Sequence, residues 1–74
     1  MQDIDFQLEC DHVELNQLLK LCGIVDSGGA GKALVSSGAV RVDGEVELRR
    51  TCKIHAGQVV EVGGARIVVA GDGA

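Results

Sequence analysis

The sequence predicts a single α+β domain in which two short helices precede a series of strands. Three observations carry this prediction: leucines at helical spacing near the start, a glycine-punctuated segment after them, and valine-rich segments between turn residues in the second half. Seventy-four residues suffice for one domain with a small core. We expect the domain to occupy residues 1–70, and residues 71–74, which are small and polar, to form a disordered tail.

A strand and then a helix are predicted near the start. Residues 3–8 alternate polar and apolar side chains, as a half-buried strand does, with Phe6 toward the core. Asp11 with Glu14 resembles a capping box and predicts helix one over residues 12–22. The predicted buried stripe of this helix follows the spacing i, i+3, i+4, i+7: Leu15, Leu18, Leu19 and Cys22.

The second helix is predicted to begin with Ser27 as its cap and to stop at Gly38. Three glycines in its first turns each weaken a helix by up to roughly 1 kcal/mol relative to alanine. The helix therefore needs tertiary support, and the glycines can let another backbone come close. We expect Ala30 and Ala33 to permit close packing and Leu34 to anchor the helix in the core.

The second half of the chain predicts strands. They cover about 40–42, 45–49, 52–54, 58–62 and 65–69, and turns are expected at Asp43-Gly44, Ala56-Gly57 and Gly63-Gly64. In the second of these strands, Val46 and Leu48 are expected to face the core. Glu45, Glu47 and Arg49 would then face outward.

The net charge of −4 is unevenly distributed along the chain. Residues 1–31 contain six acidic side chains and only Lys20 as a base. Five of the seven lysines and arginines fall in one window: Lys32, Arg41, Arg49, Arg50 and Lys53. This clustering is compatible with a solvated face of mixed charge, and equally with an anion-binding surface on an acidic background.

The cysteines and the start of the sequence indicate a cytoplasmic protein. Three unclustered cysteines, at positions 10, 22 and 52, do not form a disulfide framework and fit a reducing compartment. The acidic first twenty residues resemble neither a signal peptide nor a membrane span. Cys10 and His12 could supply two metal ligands, but no further pair has the right spacing, so no metal site is expected.

No catalytic or cofactor-binding motif is present in the sequence. Gly31-Lys32 lacks the earlier glycine and the following Ser or Thr of a nucleotide phosphate loop. Nothing in the sequence indicates a cysteine paired with a histidine in an electropositive setting, and no acid–base pair is recognisable. Phe6 is the only aromatic residue, so stacking on single strands is not expected. We would instead expect the protein to recognise a nucleic-acid partner by the phosphates and the shape of that partner.

Several motifs follow one another in a specific order between His12 and Val62. They are an apolar helix closed by Gly23, a helix opened by Ser27, the hairpin Gly38-Ala39-Val40-Arg41-Val42-Asp43-Gly44 and the strand Gly57-Gln58-Val59-Val60-Glu61-Val62. This order resembles the RNA-binding domain of small-subunit ribosomal protein four, the αL RNA-binding motif. The whole chain is similar to a free-standing, single-domain bacterial subgroup of that family.

The resemblance implies two helices packed on a small, strongly bent antiparallel sheet, with RNA contacted by helix two and the following hairpin. It implies a non-catalytic, monomeric module that contacts the phosphates of structured RNA, with ribosomal RNA as one candidate. The wider family has arginine after the helix-opening serine and further bases along helix two, whereas this chain has Gly28 and only Lys32. We therefore expect either a lower affinity or a shift of the contacts to Arg49, Arg50 and Lys53. The candidate RNA-binding residues are Ser27, Lys32, Arg41, Arg49, Arg50 and Lys53.

Two other functions fit part of the sequence. A protein-interaction module could use the same bases on an acidic partner. A β-grasp sulfur carrier has a similar size and layout, but such carriers end in Gly-Gly, whereas this sequence ends in Gly73-Ala74. RNA binding is therefore the preferred hypothesis, with the protein-interaction module as its alternative.

Overall fold

The structure, a computed structural model, describes residues 2–71. In chain order its elements are β1 Gln2–Gln7, β2 Val13–Glu14, α1 Leu15–Leu21, α2 Gly28–Ser36, β3 Val40–Val42, β4 Glu45–Val46, β5 Lys53–Ile54, β6 Val59–Val62 and β7 Ala65–Ala70. The predicted α+β class with two helices is confirmed. The predicted tail lies outside the described residues apart from Gly71.

The strands form a five-stranded sheet in the order β1-β7-β6-β3-β4 and a separate pair, β2-β5. All pairings are antiparallel except the one between β1 and β7, which is parallel along its whole length. The sheet is therefore mixed, because the first strand joins the last one beside the hairpins. Alternation on these strands places one side chain in two in the core, as Val40 and Val42 show around the exposed Arg41.

The core lies between the helices and one face of the sheet. Leu15, Leu18 and Leu19 of α1 are fully buried, which confirms the predicted stripe. From α2 the fully buried side chain is Val35, whereas Leu34 is only half-buried. Val35, and not the predicted Leu34, therefore anchors α2 in the core. A glycine-rich helix has too few apolar positions for its sequence to define the buried face.

Helix α1 begins at Leu15, three residues later than predicted. The preceding residues, Val13–Glu14, pair with Lys53–Ile54 instead of starting the helix. The predicted capping box at Asp11 is wrong: Glu14 occupies the N-cap, with no side-chain cap. Backbone carbonyls of the segment before β5 take over this role, as described below.

Helix α2 begins as the sequence predicts, since the Ser27 hydroxyl accepts a hydrogen bond from the Ala30 amide at 3.1 Å. Its close approach to α1 depends on Gly31, where a Cβ atom would lie 2.7 Å from the backbone oxygen of Asn16. Ala30 and Ala33 are exposed, so the packing role predicted for them is wrong. One glycine makes the contact that the two alanines were expected to make.

The segment after the Asp43-Gly44 turn differs most from its prediction. The expected strand over 45–49 is formed only at Glu45–Val46. Val46 and Leu48 are 52% and 60% exposed, so their predicted core positions are wrong. The strand stops because the chain turns away from the sheet toward the start of α1.

Neither of the two helices described is long and apolar enough to cross a membrane.

We expect Leu18→Ala to lower the free energy of unfolding by about 2–5 kcal/mol, because it removes most of a fully buried side chain. In a domain this small, such a loss unfolds a large part of the population. Thermal and urea unfolding followed by circular dichroism measures it. Stability equal to that of the wild type would show that α1 is not part of the core.

Gly31→Ala should destabilise the domain although alanine favours helices by about 1 kcal/mol, because the new methyl group meets the Asn16 carbonyl. Gly29→Ala is the matched control: it lies in the same helix, and the nearest atom to a new Cβ is 3.9 Å away. That variant should be as stable as the wild type or more stable. Equal stability of the two variants would contradict the proposed contact between the helices.

Candidate functional site

An open groove of about 690 Å³ lies between α2 and the segment that connects β4 to β5. Its lining residues are Lys32, Leu48, Arg49, Arg50, Thr51, Cys52 and Lys53. Four of these seven are cationic, so we call it the basic groove. Four of the six residues predicted as RNA contacts thus lie together, although they come from two distant parts of the sequence.

The segment that connects β4 to β5 forms one wall of the groove, and hydrogen bonds to α1 hold it in place. The Cys52 carbonyl accepts from the Leu15 amide at 2.8 Å, and the Arg50 carbonyl accepts from the Asn16 amide at 3.2 Å. These amides belong to the first turn of α1, where no carbonyl of the helix itself is available. The connecting segment therefore caps the helix, and the helix in turn fixes the backbone that carries Arg50, Thr51 and Lys53.

Arg49 is tied to a carboxylate inside this wall. Its Nε and Nη2 atoms donate to the two oxygens of Glu47 at 3.0 and 2.9 Å, and its backbone amide donates to the same carboxylate at 3.0 Å. The Arg49 side-chain hydrogen bonds, reinforced by the backbone one, lower the pKa of Glu47 to about 2. The pair also raises the pKa of Arg49. Arg49 remains 77% exposed, but much of its charge is compensated.

The other three cations of the groove are less restrained. Lys32, Arg50 and Lys53 are exposed, and none of them forms an ion pair within residues 2–71. Lys32 comes from α2, whereas the other two flank Cys52 on the opposite wall. These three cations, without an ion-pair partner in the described part of the chain, give the open groove a positive potential.

Arg41 does not line the basic groove. It lies on the outward side of β3, in register with Glu61, which in turn is in register with Arg66. Arg66 donates to Asp3 at 3.1 Å, so charges of alternating sign cross the outer face of the sheet. The strand alternation that buries the neighbouring valines directs Arg41 to this face, away from the cluster that its sequence position suggested.

Ser27 also lies outside the lining of the groove. Its hydroxyl accepts from the Ala30 amide and so forms the cap of α2. Its expected part in an anion-binding corner stays a prediction.

Three lining residues are not among the predicted contacts: Leu48, Thr51 and Cys52. Leu48 was assigned to the core, yet it lines the groove with 60% of its surface exposed. Thr51 and Cys52 have no sequence feature that predicts a contact, although both stand between the cationic residues Arg50 and Lys53. The spacing of two between Glu47 and Arg49 was a usable signal, because it permits a carboxylate to bind both the amide and the guanidinium of one residue.

Two of the three thiols, those of Cys22 and Cys52, are poor nucleophiles. Burial raises the pKa of Cys22, and burial together with the Glu47 carboxylate raises that of Cys52. Both thiols are therefore protonated at neutral pH. Among residues 2–71, no three His, Cys, Asp or Glu side chains are grouped so that they could hold a metal ion.

Two relatives match most of this chain. The Escherichia coli (strain K12) protein named "Putative RNA-binding protein YbcJ" is 50% identical over 58 residues, which cover 78% of this chain and 83% of that protein. The Bacillus subtilis (strain 168) protein named "Probable ribosome maturation protein RlbA" is 37% identical over 57 residues, which cover 77% of this chain and 80% of that protein.

A solved structure has the same architecture. The solution structure of YbcJ from E. coli, described as revealing an αL motif involved in RNA-binding, matches with a TM-score of 0.69 at 46% identity. The match covers 89% of this chain and 85% of that one. The family model described as S4 domain matches residues 6–70. The resemblance inferred from the helix and hairpin motifs is confirmed, and the chain belongs to the S4 domain family.

Proposed function

We propose that this domain binds structured RNA without catalysing a reaction, and that the basic groove is its principal contact surface. The observation that carries the proposal is the convergence of Lys32, Arg50 and Lys53, from two elements, on one open groove with no carboxylate paired to them in the described part of the chain. The E. coli relative is named as a putative RNA-binding protein and the B. subtilis relative as a probable ribosome maturation protein. These names support RNA as the partner and ribosomal RNA as the first candidate.

The mechanism follows from charge and shape. Lysine and arginine side chains neutralise phosphates and release the counterions that the phosphates hold, which supplies affinity without reading sequence. The only aromatic residue, Phe6, is half-buried and does not line the groove, so bases have no ring to stack on there. Contact is therefore made to the backbone of folded RNA, whose helices are recognised by shape.

The predicted contact residues take unequal parts in this proposal. Lys32, Arg50 and Lys53 neutralise phosphates directly, and Arg49 does so more weakly because Glu47 already balances it. Arg41 contacts RNA only where the RNA extends past the groove to the outer face of the sheet. Ser27 contributes by capping α2, so that the remaining free amides at the start of the helix can bind an anion. We assign the module to the cytoplasm as a monomer.

A protein partner is the alternative use of the same groove. The observation that favours it is Leu48, a large apolar side chain that is exposed among the cations. An acidic protein segment with one apolar anchor would fit such a surface. Treatment with ribonuclease distinguishes the two, because a complex purified from cells survives it only if the partner is a protein.

The triple variant K32A/R50A/K53A should lose most RNA affinity while remaining folded, since all three side chains are exposed. Each neutralised phosphate contributes about 0.7–0.9 to the slope of log affinity against log salt, so the slope should flatten by roughly 2–3. Fluorescence anisotropy with a labelled RNA hairpin at several salt concentrations measures it. Arg66→Ala, which removes a base already paired with Asp3, is the control and should change little. An unchanged slope in the triple variant would place the RNA elsewhere.

Glu47→Gln should strengthen RNA binding, because it releases Arg49 from its carboxylate but keeps an oxygen that can accept the Arg49 amide hydrogen bond. We expect the salt slope to steepen by up to about one phosphate equivalent. Glu45→Gln changes the net charge equally but breaks no ion pair within the described residues, so it should have a smaller effect. Equal gains in the two variants would mean that only net charge matters.

A further inference from the structure

A second groove lies at the end of β1. Its volume is about 340 Å³, and it is lined by Phe6, Gln7, Leu8, Glu9, Cys10, His12, Val13 and Leu21. Half of these side chains are large and apolar, so we call it the apolar groove. It shares no lining residue with the basic groove.

Leu21 marks this groove as incompletely covered. It is 61% exposed at the end of α1, although the leucines earlier in the same helix are fully buried. Phe6 and Val13 beside it are only half-buried. Exposed apolar side chains around a groove are typical of a surface to which a partner binds.

The apolar groove borders an open edge of the sheet. β1 is the terminal strand of the five-stranded order, and within residues 2–71 no strand pairs with its other edge. Alternate backbone N–H and C=O groups of such a strand are available to an added strand. The last residues of β1 line the groove, so an added strand would run directly along it.

The pleat of β1 determines which side chains an added strand needs. Ile4, Phe6 and then Leu8 lie on the core side, where the apolar groove is. Asp3 and Asp5 lie on the outer side and are exposed. Because neighbouring strands share their alternation, an added strand would place every second side chain in the groove and the others beside the two aspartates.

The charge of this region selects the occupant. Residues 1–31 contain six acidic side chains against Lys20, and Glu9 lines the groove itself. This acidity repels RNA and also opposes edge-to-edge pairing with a second copy of the chain. From the open edge, the apolar groove and the acidic rim, we infer that β1 docks an extended, basic protein segment in which apolar and cationic residues alternate. The domain would then hold a basic protein and RNA on separate surfaces.

The test uses the full chain, labelled with ¹⁵N, and a capped heptapeptide of sequence Lys-Val-Lys-Val-Lys-Val-Lys in the absence of RNA. The proposal expects amide shifts concentrated in residues 2–13 and around Leu21. One control peptide replaces valine by serine at the same charge, and another replaces lysine by glutamate. Both should bind about tenfold more weakly or worse, a difference of roughly 1.4 kcal/mol. Equal binding of the serine peptide would reduce the effect to non-specific charge attraction and overturn the proposal.

Two matched variants separate this surface from the basic groove. Leu21→Ser and Leu48→Ser alter leucines that are 61% and 60% exposed, so both should stay folded. Leu21→Ser should weaken peptide binding about tenfold without changing the salt slope for the RNA hairpin, whereas Leu48→Ser should leave peptide binding intact. The proposal fails if Leu21→Ser binds the peptide normally, if shifts centre on residues 48–53, or if sedimentation shows a dimer that Leu21→Ser abolishes. Because the peptide is measured without RNA, its result is independent of the proposed RNA function.

Discussion

The contact on which both helices and the basic groove depend is centred on Asn16. Its amide donates to the Arg50 carbonyl, and its own carbonyl lies so close to Gly31 that a Cβ atom there would be 2.7 Å away. One buried residue therefore joins the start of α1, the middle of α2 and the segment that carries the cations. Its side-chain oxygen is buried and has no hydrogen-bond partner within the described residues.

Local charge, rather than net charge, governs what this protein attracts. The chain has a net charge of −4, yet its basic groove contains three unpaired cations. The molecule extends 34 Å along its longest axis. Charges are screened over about 8 Å at physiological salt, so acids beyond that distance weaken the potential of the groove only slightly, whereas Glu14, in register with Lys53, lies close to it. Glu47 compensates one cation of the groove directly, because it binds Arg49.

The parts of the fold set by local sequence could be predicted, and the parts set by distant pairing could not. The stripe of α1, the Ser27 cap and the turn at Asp43-Gly44, where both residues have positive φ, depend on neighbours in sequence. The alternation of residues 45–49 is typical of a strand, but the hydrogen bonds to β3 end at the Glu47 amide, and the Arg50 and Cys52 carbonyls accept from the amides of α1 instead. The parallel pairing of β1 with β7 likewise could not be predicted, because neither strand's own sequence indicates its partner. The same limit applies to the site: the charge cluster was visible, whereas the separation of Arg41 from Lys32 required the register of the sheet.

Two grooves of opposite character give the domain a polarity that a uniformly basic RNA-binding protein lacks. A basic partner segment and RNA phosphates carry opposite charges, so a surface of one sign does not suit both. Here the surfaces exclude the wrong partner by like charge: Glu9 and its acidic neighbours repel phosphates, and Lys32, Arg50 and Lys53 repel a cationic segment. In the proposed arrangement, the acidic surface also favours one orientation of the domain on RNA, with the apolar groove facing away from the phosphates. Acidity that seems unfavourable for RNA affinity then contributes to the specificity of binding.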